Sequence, residues 1–305
     1  MKNKIIGLIL LAITAFFWGI TFVFQRIGSD YIGPYTWNAT RYLISGIIML
    51  SFYFILKKTN KNNLEKQKTL SKKRIIIYTI LVGVFLCLGS NFQQIGITLT
   101  KSASKIGFLT STYIVFVPLI SFIFLKKKVS PIILGCLATA MVGFYLISIK
   151  GKVELEFGDI ITIFSSVSFA LQIIFIGLVN DNISGILLSG IQFMITFILS
   201  FILMVIFEGI DFKGVLKALP AICFAAIFSG CVAYTLQIYG QKYTDDTVAS
   251  LIMSFESVFS LIFSMVILKE VLLPREWIGS ALIFVSIIVS QIGFKKIGKK
   301  KYETS

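Results

Sequence analysis

Histidine is absent from this 305-residue chain, which removes the commonest metal ligand, general base and neutral-pH proton relay together. Acidic residues are scarce, 14 against 29 Lys and Arg. The clustered acids expected of an enzyme face are therefore missing, and Asp245-Asp246 is the single acidic doublet. Cysteine is limited to Cys87, Cys136, Cys223 and Cys231, all within apolar segments and without metal or redox spacing. They read as small hydrophobes, with no disulfide framework. No phosphate-cradling Walker A loop occurs, so nucleotide-driven work is not expected. The opening run Lys2 to Phe24 has the basic start of a signal peptide but no small-x-small cleavage site, and reads as a first membrane span. Neither cofactor nor metal is implied.

What the chain has in abundance is oil. Hydrophobic residues make up 56% and charged ones only 14%, with a mean hydropathy of +0.90. That is too apolar for one soluble core, so lipid must be the solvent. The formal charge of +15 does not point to nucleic acid, because the cations lie between apolar runs rather than along a folded polar face. Apolar runs near the roughly 20 residues that cross a bilayer occupy 5–24, 35–56, 75–97, 104–125, 131–149, 158–179, 185–207, 219–240, 247–268 and 275–294. Pro34, Pro131, Pro220 and Pro274 punctuate segment starts. Pro118 lies inside the fourth segment and is expected to kink it.

Cation placement orients the chain. Lys2, Lys4, Lys242 and the basic stretches 57–74, 126–128 and 295–301 fall on one side, against scattered residues such as Arg26, Lys101 and Lys213 on the other. The richer side is the cytoplasm, so both termini are expected inside a cytoplasmic membrane. The basic runs read as topology anchors.

The chain also echoes itself. At an offset of 151, Gly158 falls on Gly7, Phe169 on Trp18, Gln172 on Thr21 and Gln192 on Arg41. Beyond the basic loop the offset becomes 143, pairing Gln94 with Gln237, Leu125-Lys126 with Leu268-Lys269 and Pro131 with Pro274. Five is an odd number of spans, so the second half enters from the opposite side. The fold class is therefore an all-α membrane protein of ten transmembrane helices arranged as two inverted five-helix repeats. The halves are 1–150 and 151–294, followed by a basic cytoplasmic tail, 295–305.

Ala15-Phe16-Phe17-Trp18-Gly19, Arg41-Tyr42-Leu43, Phe108 to Tyr113 with Pro118, Ser254-Phe255-Glu256-Ser257-Val258 and Leu268-Lys269-Glu270 together resemble the EamA-type drug/metabolite transporters. The resemblance covers nearly the whole chain, and its specificity lies in the order and doubling of short motifs. It implies ten helices with both ends inside and a central cavity lined by spans 1, 3, 4, 6, 8 and 9. It further implies transport of amino acids or related metabolites, often outward.

Ionisable groups at membrane depth are costly and rarely face lipid unpaired. Glu256 lies in the ninth span and Arg41 in the second. Glu256 would bind a substrate amine, exchange a proton, or do both alternately; the alternative is a structural hydrogen bond, with Ser254 and Ser257 at hand. Arg41 is an anion clamp or an internally paired guanidinium, and a direct Arg41–Glu256 ion pair is open. Asn91 and Gln94 share a helix face, as do Tyr234 and Gln237 at the matching place. They read as cavity lining, with interhelical hydrogen bonding as the alternative. Trp18 with Thr21, Phe169 with Gln172, and Tyr113 complete the expected substrate-binding set. Gly135, Thr139 and Gly143, like Ser286 and Ser290, are spaced for close helix packing and support the bundle or a homodimer face. Asp245-Asp246 is placed to cap the ninth span.

The expected protein is a secondary carrier for a small amphiphilic metabolite, embedded in the lipid bilayer and not an enzyme. An integral-membrane enzyme acting on a lipid-linked substrate and a passive channel are the other readings.

Overall fold

A computed structural model describes residues 2–59, 69–126, 130–148, 156–269, 274–275, 277–286 and 289. Among the described residues the chain is all helix, with no strand. Helices α1 (Lys2–Gly28), α2 (Pro34–Thr59) and α3 (Lys72–Thr100) are long and continuous. The fourth span is divided into α4 (Ala103–Ser111) and α5 (Tyr113–Leu125). Then come α6 (Pro131–Ser148), α7 (Phe157–Val179) and α8 (Gly185–Phe207). The eighth span runs through α9 (Phe212–Phe224), a π-helical segment (Ala225–Tyr234) and α10 (Thr235–Gln241). The ninth is divided into α11 (Asp246–Met253) and α12 (Glu256–Ile267). A last helix, α13, is described over Trp277–Ser286. Eight of these stretches are long and apolar enough to cross a membrane, and two shorter apolar helices, one within α6 and the other α13, bring the described total to ten. The tail 295–305 and Ser290 lie outside the described residues.

The burial pattern is that of a protein dissolved in lipid. Phe124 (76% exposed) and Phe207 (68%) face outward, whereas Thr14, Gln25, Asn38, Arg41, Gln172 and Glu256 are all buried. With no water at the periphery, polar groups turn inward and hydrogen-bond between helices. The principal pairings are α1 with α12 and with the π segment and α10, α3 with α7, and α2 with α8.

The two divided spans differ from the expectation at Pro118. That residue lies within α5 without interrupting it, and the break is at Thr112. The second break, at Ser254–Phe255, involves no proline. Hydroxyls account for both. Thr112 Oγ1 donates to the Leu109 carbonyl (2.6 Å) and Ser254 Oγ to that of Leu251 (2.8 Å). Each takes a carbonyl that the regular helix would have used. The backbone tightens locally to three-residue bonds, Val115 N to Thr112 O and Ser257 N to Ser254 O.

Pro220 also departs from expectation, since it lies inside α9 rather than at the start of a span. The helix begins eight residues earlier because Asp211 accepts the Gly214 N–H (2.9 Å) and caps it. Lys213 and Lys217 interrupt the apolar run there and hide that first turn from a hydropathy count. Asp245 caps α11 as expected, accepting from Thr247 N (3.0 Å), and the four cysteines are free.

Glu208, one residue beyond α8, provides a cap across the bundle. Its carboxylate accepts Tyr35 N (2.8 Å), Thr36 N (2.8 Å) and Thr36 Oγ1 (2.6 Å) at the start of α2. Those N–H groups have no partner within their own helix, and the positive end of the helix favours an anion. Glu208→Ala is therefore expected to cost about 1–2 kcal/mol of stability, read as a lower thermal midpoint in detergent. An unchanged midpoint would mean that water caps α2 equally well.

Candidate functional site

Helical spacing brings one face of each central helix to a common point. Trp18, Thr21, Phe22 and Gln25 follow one another at three, four and seven residues along α1, and so share a stripe. Phe169, Gln172 and Ile173 do the same on α7. These stripes meet Arg41 of α2, Gln93 of α3, Thr110 of α4, Tyr113 of α5, Ser229 and Tyr234 of the π segment, Gln237 of α10 and Glu256 of α12 around one cavity. It encloses about 410 Å³ of empty space, counting its mouth. The lining helices are those the family resemblance implies, with α2 in addition.

At one part of the wall Arg41, 3% exposed, donates from Nη2 to the Tyr42 hydroxyl (2.8 Å). Tyr42 in turn is 2.7 Å from Ser90 Oγ, so the guanidinium is braced from behind. Its Nε has no partner. Trp18 Nε1 and Gln237 Oε1 are likewise buried without a protein partner, while the Tyr113 hydroxyl faces the Glu256 carboxyl. Two unused donors and one acceptor around one space suit a solute with acceptors to offer. The Trp18 and Tyr234 rings, 4.9 Å apart, form an aromatic wall.

Glu256 is the first residue of α12, immediately after the break, and is 3% exposed. Ser111 Oγ stands 3.4 Å from its Oε1. Arg41 and Glu256 line the same cavity but form no ion pair with each other; the described pairs include Arg26–Asp30 and Lys105–Asp159, both away from the cavity. The sequence-level option of an Arg41–Glu256 bridge is therefore not realised.

The structure brings Trp18, Thr21, Tyr113, Phe169, Gln172, Tyr234, Gln237, Glu256 and Arg41 together. It does not bring Asn91 or Gln94 to the cavity. Asn91 donates to the Cys87 carbonyl (2.9 Å) and Ser200 Oγ (2.8 Å) and accepts from Asn38 (3.1 Å), joining α3 to α8 and α2. Gln94 donates to the Gln25 carbonyl (3.1 Å). Both are interhelical fasteners.

The cavity residue of α3 is Gln93, which accepts from Gln25 (2.9 Å) and donates to Thr110 (3.2 Å). Its counterpart is the chain Gln237 to Gln172 to Gln192 on the other wall. Gln25, Phe22, Ile173 and Thr110 were legible from helical spacing beside residues already singled out, whereas Ser229 has no sequence signal.

A polytopic helical membrane protein with a buried, partly charged cavity is a transporter's arrangement. The sequence profile of the EamA-like transporter family matches residues 5–149 and again 156–291, and the chain belongs to that family. A protein of Archaeoglobus fulgidus called "Uncharacterized transporter" is 31% identical over 284 residues, covering 92% of this chain and 83% of that one. The "Uncharacterized transporter YoaV" of Bacillus subtilis is 22% identical, covering 92% and 94%. A solved crystal structure titled only as that of a protein superposes with a TM-score of 0.74 at 14% identity, over 97% of this chain and 98% of the other, which shows the fold.

Proposed function

We propose that this chain is a secondary carrier that exports small zwitterionic metabolites, amino acids or close relatives, across the cytoplasmic membrane by alternating access. The observation that carries the reading is the placement of Arg41 and Glu256, buried in one cavity and unpaired with each other. An internal ion pair would offset the cost of holding both charges at membrane depth. Leaving it unmade keeps one cationic and one anionic position open to a solute that carries both charges. Arg41 takes the carboxylate, Trp18, Phe169 and Tyr234 enclose the apolar part, and Glu256 takes the amine or a coupling cation in turn.

Two close helix crossings supply the gates. Where α1 meets α10, a Cβ on Gly7 would stand 3.0 Å from the Gly240 carbonyl oxygen. Where α3 meets α7, a Cβ on Gly96 would stand 3.2 Å from that of Gly158. Gly7 and Gly158 are 151 residues apart, and the crossings lie at opposite ends of the bundle. Only glycine allows backbones this near.

The two helix breaks, 143 residues apart, support an inverted repeat with halves 1–150 and 151–294. So do the left-handed residues Lys126 (φ 54°) and Lys269 (φ 56°) at the same offset. The principal helix pairings map onto one another under exchange of halves: α1 with α12 onto α7 with α4 and α5, and α2 with α8 onto itself. In this reading both termini and the basic tail 295–305 are cytoplasmic.

Gly96→Leu is expected to hold its end ajar, cutting exchange roughly tenfold while solute still binds in detergent. Full exchange in that variant would remove the crossing from the gating scheme. The reading as a whole is tested by counterflow in proteoliposomes preloaded in turn with pooled amino acids, organic acids or sugars. Saturable exchange of the amino-acid pool is expected. Exchange of no pool overturns the reading, and a non-saturable leak would make the protein a channel.

A further inference from the structure

The two helix breaks converge on one buried point. Ser111 ends α4, Glu256 begins α12, and the backbone carbonyl of Ser254 lies between them. Ser111 Oγ is 2.9 Å from the Gly107 carbonyl, 3.4 Å from that of Ser254 and 3.4 Å from Glu256 Oε1. A serine hydroxyl has one proton, and the contact to Gly107 is the one of ordinary hydrogen-bond length. The other two exceed the usual O–H···O distance of about 2.7–2.8 Å. They nonetheless bring three oxygens together at one point, and Ser111, Ser254 and Glu256 are all buried. Ser257 donates its N–H (3.1 Å) and hydroxyl (2.9 Å) to the Ser254 carbonyl, which holds that oxygen in place.

The C-terminal ends of α4 and α11 and the N-terminal ends of α5 and α12 all meet at this junction, so their dipoles offset one another and Glu256 is the group there that can carry a full charge. Among the charged and titratable groups facing the cavity, Tyr113 of α5 and Tyr234 of the π segment are phenols, and the Tyr113 hydroxyl faces the Glu256 carboxyl. Arg41 of α2 is bound to Tyr42 and makes no ion pair with Glu256. On the helices packed against α12, Lys105 of α4 is committed to Asp159 (2.9 Å) and Arg26 of α1 to Asp30 (2.7 Å). Among the described residues no cation pairs with the Glu256 carboxylate.

The spacing has a size in it. An ion that holds oxygen ligands at about 2.3–2.6 Å places ligands at right angles about 3.3–3.7 Å apart, whereas magnesium's shorter bonds would draw them to about 3 Å. A single carboxylate among neutral oxygens balances one positive charge, not two. We propose that Ser111, the Ser254 carbonyl and Glu256 form a sodium site at the junction of the two breaks. We propose further that sodium there competes with the solute's ammonium for Glu256. The competition rests on the carrier reading above; the site does not. Mutual exclusion at one carboxylate produces antiport, because an ion entering down its gradient displaces the amine outward.

The test is equilibrium binding of radioactive sodium alone to the purified full chain in detergent, with choline holding the ionic strength. Saturable binding of about one ion per chain is expected. Ser111→Ala should weaken it about tenfold through loss of one ligand, and Glu256→Gln should abolish it, with folding checked by circular dichroism and gel filtration. Absence of saturable binding by the folded wild-type chain overturns the site. So does equal displacement by potassium, whose size the spacing does not fit. If instead acid alone protects the protein, and Glu256→Gln removes that protection, the converging oxygens hold a proton and the sodium site is wrong. Because no solute moves in this assay, failed counterflow with sodium binding intact would refute the carrier and leave the site standing.

Discussion

Replacing Arg41 by Lys is expected to lower kcat/KM for a carboxylate-bearing solute about 30- to 150-fold, and Arg41→Met at least as much. The estimate takes a hydrogen bond to a charged group at about 2–3 kcal/mol. Lysine keeps the charge but loses the planar fork, so it cannot hold Tyr42 through one nitrogen while presenting another to the cavity. The present geometry does both: Nη2 bonds Tyr42 and Nε is free. The loss should appear mainly in KM if Arg41 grips the solute equally in every state of the cycle. A structural role predicts something different. If Arg41 served only to brace Tyr42 and Ser90, both variants would lower thermal stability and leave the KM of the surviving protein unchanged. Measuring both quantities on the same preparations separates the two.

Glu256→Gln is expected to abolish gradient-driven accumulation and to leave solute-for-solute exchange only at a raised KM, because the solute's amine loses its anionic partner. With one-for-one coupling, a tenfold cation gradient supports about a tenfold solute gradient. The glutamine variant should bring the solute only to equal concentrations on both sides. Glutamine has the same shape as glutamate, so the α4–α12 junction survives. What it lacks is a charge for a cation or an amine to neutralise. Retained accumulation in Glu256→Gln would remove this carboxylate from coupling, and exchange at an unchanged KM would remove it from solute binding.

The residues of the cavity were unequally visible beforehand. Trp18, Thr21, Phe169 and Gln172 show through because a 3.6-residue period places them on one face and because the chain repeats them. Gln25 belongs to the same stripe, one further turn along α1, and is found by extending that period. Glu256 and Arg41 stand out simply as charges within oil. Gln94 misleads: the sequence offset pairs it with Gln237, but its side chain donates to the Gln25 carbonyl and its neighbour Gln93 lines the cavity instead. No periodicity announces a π segment. Its setting is a contact from another helix, where Ser45 Oγ donates to the Ala226 carbonyl (2.9 Å).

Hydropathy, period and cation placement are properties of the chain read in order, and they determine what each residue does toward lipid. From them came the all-helical membrane class, the segments, the four free cysteines and most of the inward-facing residues. Tertiary contact decided the rest. The breaks at Thr112 and Ser254–Phe255, the cap that Glu208 places on α2, and the unpaired state of Arg41 and Glu256 all depend on groups far apart in sequence. The energies that settle them are single hydrogen bonds formed only once the helices have packed, and a linear pattern carries no record of which carbonyl a hydroxyl will reach.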